Sequence, residues 1–222
     1  MLWEEQVPQL QQGCHRQLLE KAHGELSAGR KVYPRRENTF NSMRLTAFDA
    51  VKVVIIGQDP YFNEHQRLGP EAHGLCFSVQ EGIPAPPSLQ NIFKEIRRSI
   101  YQDDKEKVFS TDLTRWAQQG VLLLNASLTV IAKSPNSHAN IGWHKITDNI
   151  IETLSNKREF LVFMLWGAFA QKKAALIDHD NHLVLKTSHP SPLSAHRGFL
   201  GSDVFKKCNY YLETRGIEPI QW

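Results

Sequence analysis

The sequence predicts an α/β protein, with a central four-stranded parallel, twisted sheet flanked by helices on both faces, in a single domain spanning residues 1–222. Three observations carry this. Four short, largely apolar runs, Val51–Ile56, Val121–Leu124, Phe160–Trp166 and Leu183–Thr187, do not alternate with polar residues, as expected of strands buried on both faces. Segments of helical period separate them, so successive strands are joined by crossovers. No repeat, linker or low-complexity stretch divides the chain, and 222 residues suit one domain.

Taken in order, residues 1–32 form a helical extension without a motif, with a helix over 9–27 that begins after Pro8 and carries Leu10, Leu18, Leu19, Ala22 and Leu26. Tyr33-Pro34 leads to the first strand, in KVVIIG, which stops at Gly57. Ser88 is placed as the N-cap of a helix whose Leu89, Ile92, Phe93, Ile96 and Ile100 share one face. A short helix over Leu113–Gln119 stops at Gly120 and hands over to the second strand. Helix Trp143–Leu154, strand Phe160–Trp166, helix Ala168–Ile177, strand Leu183–Thr187 and helix Asp203–Leu212 complete the chain.

Right-handed crossovers put every strand's C-terminal end on one edge, where open α/β sheets bind ligands. The residues arriving there are Gly57-Gln58-Asp59-Pro60-Tyr61, Asn125, Gly167 and Ser188-His189-Pro190-Ser191. An Asp before Pro alone reads as a turn. An acid, a carboxamide and an imidazole converging on one edge read as a site.

Several classes lose support. GxGxxG, GxxxxGK[ST] and GxSxG are absent. Cys14, Cys76 and Cys208 are isolated and odd in number, which suits a reducing compartment and cannot supply a four-cysteine cluster or zinc site. His179 and His182 read as solvated loop residues, and His138 and His144 lack a ligand spacing, so neither metal nor other cofactor is expected. No apolar run approaches membrane-spanning length, and MLWEEQVPQL resembles no targeting segment, so the expected place is the cytoplasm, or the nucleus in a eukaryote. The net charge of +3, its excess confined to residues 125–222, permits nucleic acid as a partner.

An acid and a histidine without metal suit displacement at an electron-poor carbon. The acid orients water or stabilises a cation, and the imidazole meets a leaving group gathering negative charge. Asn125 offers a donor and an acceptor in one plane, matching a nucleobase edge. Phe77, in AHGLCFSV, can stack on a base or simply fill the core. In HPSPLSAHRGF, two prolines stiffen a loop that presents Leu193 among serines able to grip phosphates, and IPAPPS ends in Ser88 at a helix start.

GQDPY, HGLCFSV, PPSLQNIFKEI, GVLLLN, FMLWG and HPSPLSAHRGF, in this order, resemble uracil-DNA glycosylase of the uracil-excising type (family 1), from about Tyr33-Pro34 to Ile220-Gln221-Trp222. The resemblance implies a DNA repair enzyme that flips uracil from single- or double-stranded DNA and hydrolyses its N-glycosidic bond, leaving an abasic site. It implies that Asp59 orients the water and His189 meets the departing uracil, with Gln58, Tyr61, Phe77 and Asn125 forming the base pocket. Tyr61 would exclude a 5-methyl group. Leu193 would fill the gap left by the flipped nucleotide. Ser88, Ser191, Arg197 and the stretch after Trp166-Gly167 would hold the DNA backbone. It also implies a monomer and a phage-type protein inhibitor as a partner. Three departures stand out. Phe62 replaces the His that commonly follows GQDPY, and a longer NEHQRLGPE follows, with His65 as the expected replacement. Ala174-Ala175 is taken as the counterpart of the family's Gly-Ser phosphate loop, and Ala85 interrupts the proline-rich loop. A DNA-binding module that has lost catalysis is the rival reading, opposed by the retention of Asp59 and His189. A glycosylase for mismatched or larger bases is opposed by Tyr61 and Asp59.

Overall fold

In the computed structural model, residues 2–24 and 28–222 are described. Strands β1 (Val32–Tyr33), β2 (Val53–Gly57), β3 (Glu64–His65), β4 (Gly69–Pro70), β5 (Val121–Asn125), β6 (Val130–Ile131), β7 (Val162–Trp166) and β8 (Leu183–Thr187) alternate with helices α1 (Trp3–Gln6), α2 (Pro8–Gln11), α3 (Cys14–His23), α4 (Asn41–Leu45), α5 (Pro87–Tyr101), α6 (Thr114–Gln118), α7 (Trp143–Lys157), α8 (Gly167–Gln171) and α9 (Val204–Thr214). The main sheet has the order β5-β2-β7-β8, and every pairing in it is parallel.

The three apolar strands β2, β5 and β7 are buried throughout, whereas the edge strand β8 is only partly covered. Alternate residues serve opposite faces. Val53, Ile55, Val121, Leu123, Val162 and Met164 pack with Leu89, Ile92 and Ile96 of α5, Trp116 of α6 and Phe205 of α9. Val54, Ile56, Leu122, Leu124, Phe163 and Leu165 pack with Ile146, Ile150 and Leu154 of α7 and with Trp3 and Leu10. The motif-free N-terminal extension is therefore part of the core. Its Trp3 indole donates to the carbonyls of Met43 and Thr46, both at 2.9 Å.

Several boundaries differ from expectation for local reasons. The helix expected over 9–27 is broken at Gly13, whose φ of +72° places it in the left-handed region. Its C-terminal part, with Leu26, lies outside the described residues. Ser88 is not an N-cap. Pro86 takes that position and Pro87 starts the helix, where a residue lacking N–H loses nothing. The first strand begins at Val53, because a 3₁₀ turn over Phe48–Ala50 precedes Val51. The third begins at Val162, after Phe160 at φ +57°. The helix expected over Ala168–Ile177 is α8 followed by a 3₁₀ turn, Lys172–Leu176. His182 is buried and not solvated as expected: its Nδ1 accepts from the Leu161 N–H at 3.1 Å, and its Nε2 lies 2.9 Å from the Ser155 carbonyl.

Residues after Phe62 fold into an antiparallel ribbon, β3 with β4. Glu64 fastens it, accepting from Lys31 Nζ at 2.8 Å and from the Tyr33 hydroxyl at 2.5 Å. No helix among the described residues is long and apolar enough to cross a membrane.

Candidate active site

The C-terminal ends of β2 and β5 meet directly, Gly57 opposite Asn125 in the parallel register. The chain keeps pairing past the strand ends, with Ala126 N–H donating to the Gly57 carbonyl at 3.0 Å and Ser127 N–H to the Gln58 carbonyl at 2.9 Å. Gln58-Asp59-Pro60-Tyr61 thus leaves the sheet on a fixed path. A cleft of about 240 Å³ opens there, lined by Gly57, Gln58, Asp59, Tyr61 and Phe62, by Leu75 and Phe77, and by Ser88, Asn125 and His189. A larger groove of about 580 Å³ at the opposite sheet edge, around Lys52, Gln119 and Arg158, holds none of these groups.

Asp59 is largely withdrawn from water, which pushes its carboxyl above the ordinary Asp range. The Asn136 N–H, donating to Oδ2 at 2.8 Å, opposes part of that shift. Asn136 sits at φ +61°, and its Oδ1 accepts from Gln58 Nε2 at 3.2 Å. One residue of the 132–138 loop therefore steadies both Gln58 and Asp59. Sequence reasoning missed Asn136. The one available signal was that Asn tolerates the left-handed region, and its useful group is a backbone N–H that carries no signature.

Asn125 is buried, and its carboxamide makes no hydrogen bond among the described residues. The amide therefore keeps its donor and acceptor free at the cleft it lines. Its place depends on Gly57, where an added Cβ would fall 2.2 Å from Asn125 Oδ1 and 2.7 Å from Cys76 Cβ. Across the cleft, Phe77 is held at φ +63°, a strained state for a bulky residue. Its ring lies 5.3 Å from that of Trp166 and 5.8 Å from that of His189. Tyr61 is partly buried and donates its hydroxyl to the Phe77 carbonyl at 3.4 Å, a long bond.

His189 follows β8, and burial lowers its pKa. The Ser191 N–H donates to its Nδ1 at 3.0 Å, so Nδ1 must be the lone-pair nitrogen. The neutral ring then carries its proton on Nε2, as a donor. Gly167, at φ +84°, permits this approach, since a Cβ there would lie 2.8 Å from His189 Cβ. Beyond it, Ser194 Oγ donates to the His189 carbonyl at 2.8 Å, and Ser188 Oγ to the Ser194 carbonyl at 2.8 Å. Leu193, at the tip of this loop, is 83% exposed. Arg197 is exposed on the same loop and makes no ion pair among the described residues.

Not every residue singled out in the sequence lines the cleft. Ala174-Ala175 lies in the 3₁₀ turn after α8, and Ala174 packs against the α7-side core. The segment beside the cleft is Gly167 with the start of α8. His65 is not part of the cleft wall either. It lies on the ribbon in a hollow with Glu64, Gln66, Arg67 and Glu71, and its Nδ1 lies 3.4 Å from the Arg67 N–H. Phe62 lines the cleft instead. His65→Ala is accordingly expected to leave excision within about twofold of wild type, as surface changes usually do. A tenfold loss in single-turnover rate would restore the replacement role.

Residues 45–213 match the family model described as the uracil DNA glycosylase superfamily. The chain belongs to that superfamily. Its relatives include the uracil-DNA glycosylase of Azotobacter vinelandii, 54% identical over 198 residues, which cover 89% of this chain and 82% of the relative. The Haemophilus influenzae uracil-DNA glycosylase is 50% identical over 204 residues, covering 92% and 90%. Among solved structures, mimivirus uracil-DNA glycosylase superposes with a TM-score of 0.86 at 30% identity, over 93% of this chain and 80% of that one. A mimivirus UNG variant in complex with UGI gives 0.87 at 30% identity, over 94% and 82%. The superfamily assignment agrees with the four-stranded parallel sheet, and the cleft lies at the end of the sheet where open α/β folds bind ligands.

Proposed function

We propose that this protein flips uracil out of DNA into the cleft and hydrolyses its N-glycosidic bond, releasing free uracil and leaving an abasic site, the first step of base excision repair. The activity is that of uracil-DNA glycosylase, a hydrolase acting on N-glycosyl bonds. The carrying observation is that Asp59, Asn125 and His189 line one cleft with Phe77 between them. In this reading the Asp59 carboxylate orients the attacking water and stabilises the cationic sugar. The open Asn125 carboxamide pairs with the uracil edge and Phe77 stacks on its face. The Nε2–H of neutral His189 donates to the oxygen that gathers charge as uracil departs. Flipping itself is what DNA glycosylases do as a class. Ser88, Ser191, Arg197 and the Gly167 segment serve the phosphates, and Leu193 enters the vacated stack.

The test is a labelled single-uracil oligonucleotide incubated with and without EDTA, then treated with alkali. Scission at the uracil in both samples is expected. Intact DNA, or loss in EDTA restored by a divalent metal, would sink the mechanism. Leu193→Ala should slow excision more on duplex than on single strands, because unstacking costs a few kcal/mol in a paired duplex and less elsewhere. Equal slowing would reduce Leu193 to loop packing. Tyr61→Ala should release thymine slowly while still preferring uracil. A poor fit for one methyl is worth only about 1–3 kcal/mol, so strong exclusion needs a rigid wall, which the ring following Pro60 supplies. Thymine left untouched at high enzyme concentration would put the wall elsewhere.

The same reading makes the protein a monomer acting in the cytoplasm, or in the nucleus of a eukaryote. Its free Cys14, Cys76 and Cys208 suit a reducing compartment. A phage-type protein inhibitor of uracil-DNA glycosylase is the partner it adds, supported by the likeness to the UGI-bound mimivirus variant.

A further inference from the structure

We infer that Asn91 and Glu95 are positioning residues, a two-point clamp by which α5 holds both ends of the loop that follows His189 and so sets the place of Leu193. The inference rests on the uracil-excising reading. The two residues are one helical turn apart, at the margin of the buried face that Leu89, Ile92 and Ile96 occupy. Asn91 is buried, and its Nδ2 donates to the Pro190 carbonyl at 2.8 Å, one residue past His189. Glu95 is fully buried. Its Oε2 accepts the Gly201 N–H at 2.7 Å and its Oε1 the Asp203 N–H at 2.9 Å. Arg98 completes the second point, donating to Glu95 Oε1 at 2.8 Å and to Asp203 Oδ1 at 2.6 Å.

Burying an amide and a carboxylate on an apolar helix face is unfavourable unless each is fully paired. Here the Asn91 amide and both Glu95 carboxylate oxygens bond to the ends of this one loop. Between the two points the loop touches the core through Ala195 and Phe199, the latter 5.2 Å from the Trp166 ring. A hollow of about 280 Å³, walled by Gln90 and Lys94 on the helix and by Pro192, His196 and Leu200 on the loop, separates the rest. Leu193 has almost no packing of its own, so its place follows from the loop, which the Ser188 and Ser194 hydroxyls brace internally and the anchors and Phe199 fix to the body of the protein. A misplacement of about 1 Å can cost about a hundredfold in rate, so the clamp bears on catalysis without touching substrate.

The experiment compares single-turnover excision from duplex and single-stranded uracil DNA for wild type, Asn91→Asp, Glu95→Gln, Leu193→Ala and the double variants. Asn91→Asp sets an oxygen against the Pro190 carbonyl with almost no change of shape. It is expected to slow duplex excision at least about fivefold more than single-strand excision, and this excess should vanish in the Leu193→Ala background, the coupling expected of groups acting through one another. Glu95→Gln should behave likewise. Equal slowing on both substrates, or full additivity with Leu193→Ala, overturns the clamp. Should Asn91→Asp fail to melt cooperatively, Asn91→Ala removes the same donor and is read by the same criterion. A wild type that excises from neither substrate overturns the activity, a result distinct from failure of the coupling.

Discussion

Asp59→Asn is expected to retain DNA binding and to slow excision by at least about two decades, the usual cost of removing a general base. The substitution keeps the side chain's shape and can still accept the Asn136 N–H. What it removes is the negative charge that Asp59 brings to the cleft. Because burial raises the Asp59 pKa, the wild-type rate should fall with decreasing pH sooner than an ordinary Asp would dictate. His189 is shifted the other way, its burial favouring the neutral ring. The stability effect has a definite sign. A carboxyl with a raised folded-state pKa favours folding below its unfolded pKa and loses that contribution as pH rises through the folded value. Asp59→Asn should therefore melt at or above the wild-type temperature at neutral pH, and the gain should shrink in acid. Near-normal turnover in this variant would mean that another group handles the water.

Gly57→Ala is expected to be comparably damaging through a residue with no side chain to offer. A Cβ at this position collides with the Asn125 carboxamide and with Cys76. Cys76 has little room to retreat, being itself buried with its N–H on the Leu123 carbonyl at 3.2 Å. The carboxamide must turn aside, and the edge it presents to the cleft turns with it. A loss of about two decades fits a displacement of this size. Gly57→Ala and Asn125→Ala should then be strongly non-additive, since both remove one interaction. Full activity in Gly57→Ala, with an unchanged melting temperature, would show that Asn125 is not fixed from below.

The apolar runs were legible because a central parallel strand has no solvent side, and Val53–Gly57 and Val121–Asn125 carry no alternation. Topology then made the site legible, since Asp59, Asn125 and His189 lie just beyond or at strand ends. Illegible features depended on single backbone conformations. Gly13 and Phe160 at positive φ moved element boundaries. Pro87 displaced the start of α5. Asn136 contributes a main-chain N–H, which any residue type could supply. His182 looked solvated in a polar loop because its two partners, Leu161 and Ser155, are distant in sequence.

The sheet order has a consequence for how activity first appears in a newly made chain. The strand leading to Asp59, β2, is early in sequence yet central in space, and it cannot be flanked until β5 and β7 have both been made. His189 arrives later still, after the edge strand β8. Contacts of such sequence separation form slowly, because loop closure precedes their reward. Acid, carboxamide and imidazole therefore come together only when the whole sheet is complete, so a nascent or half-folded chain cannot cut glycosidic bonds. In a refolding time course, recovery of excision should lag behind recovery of helical circular dichroism.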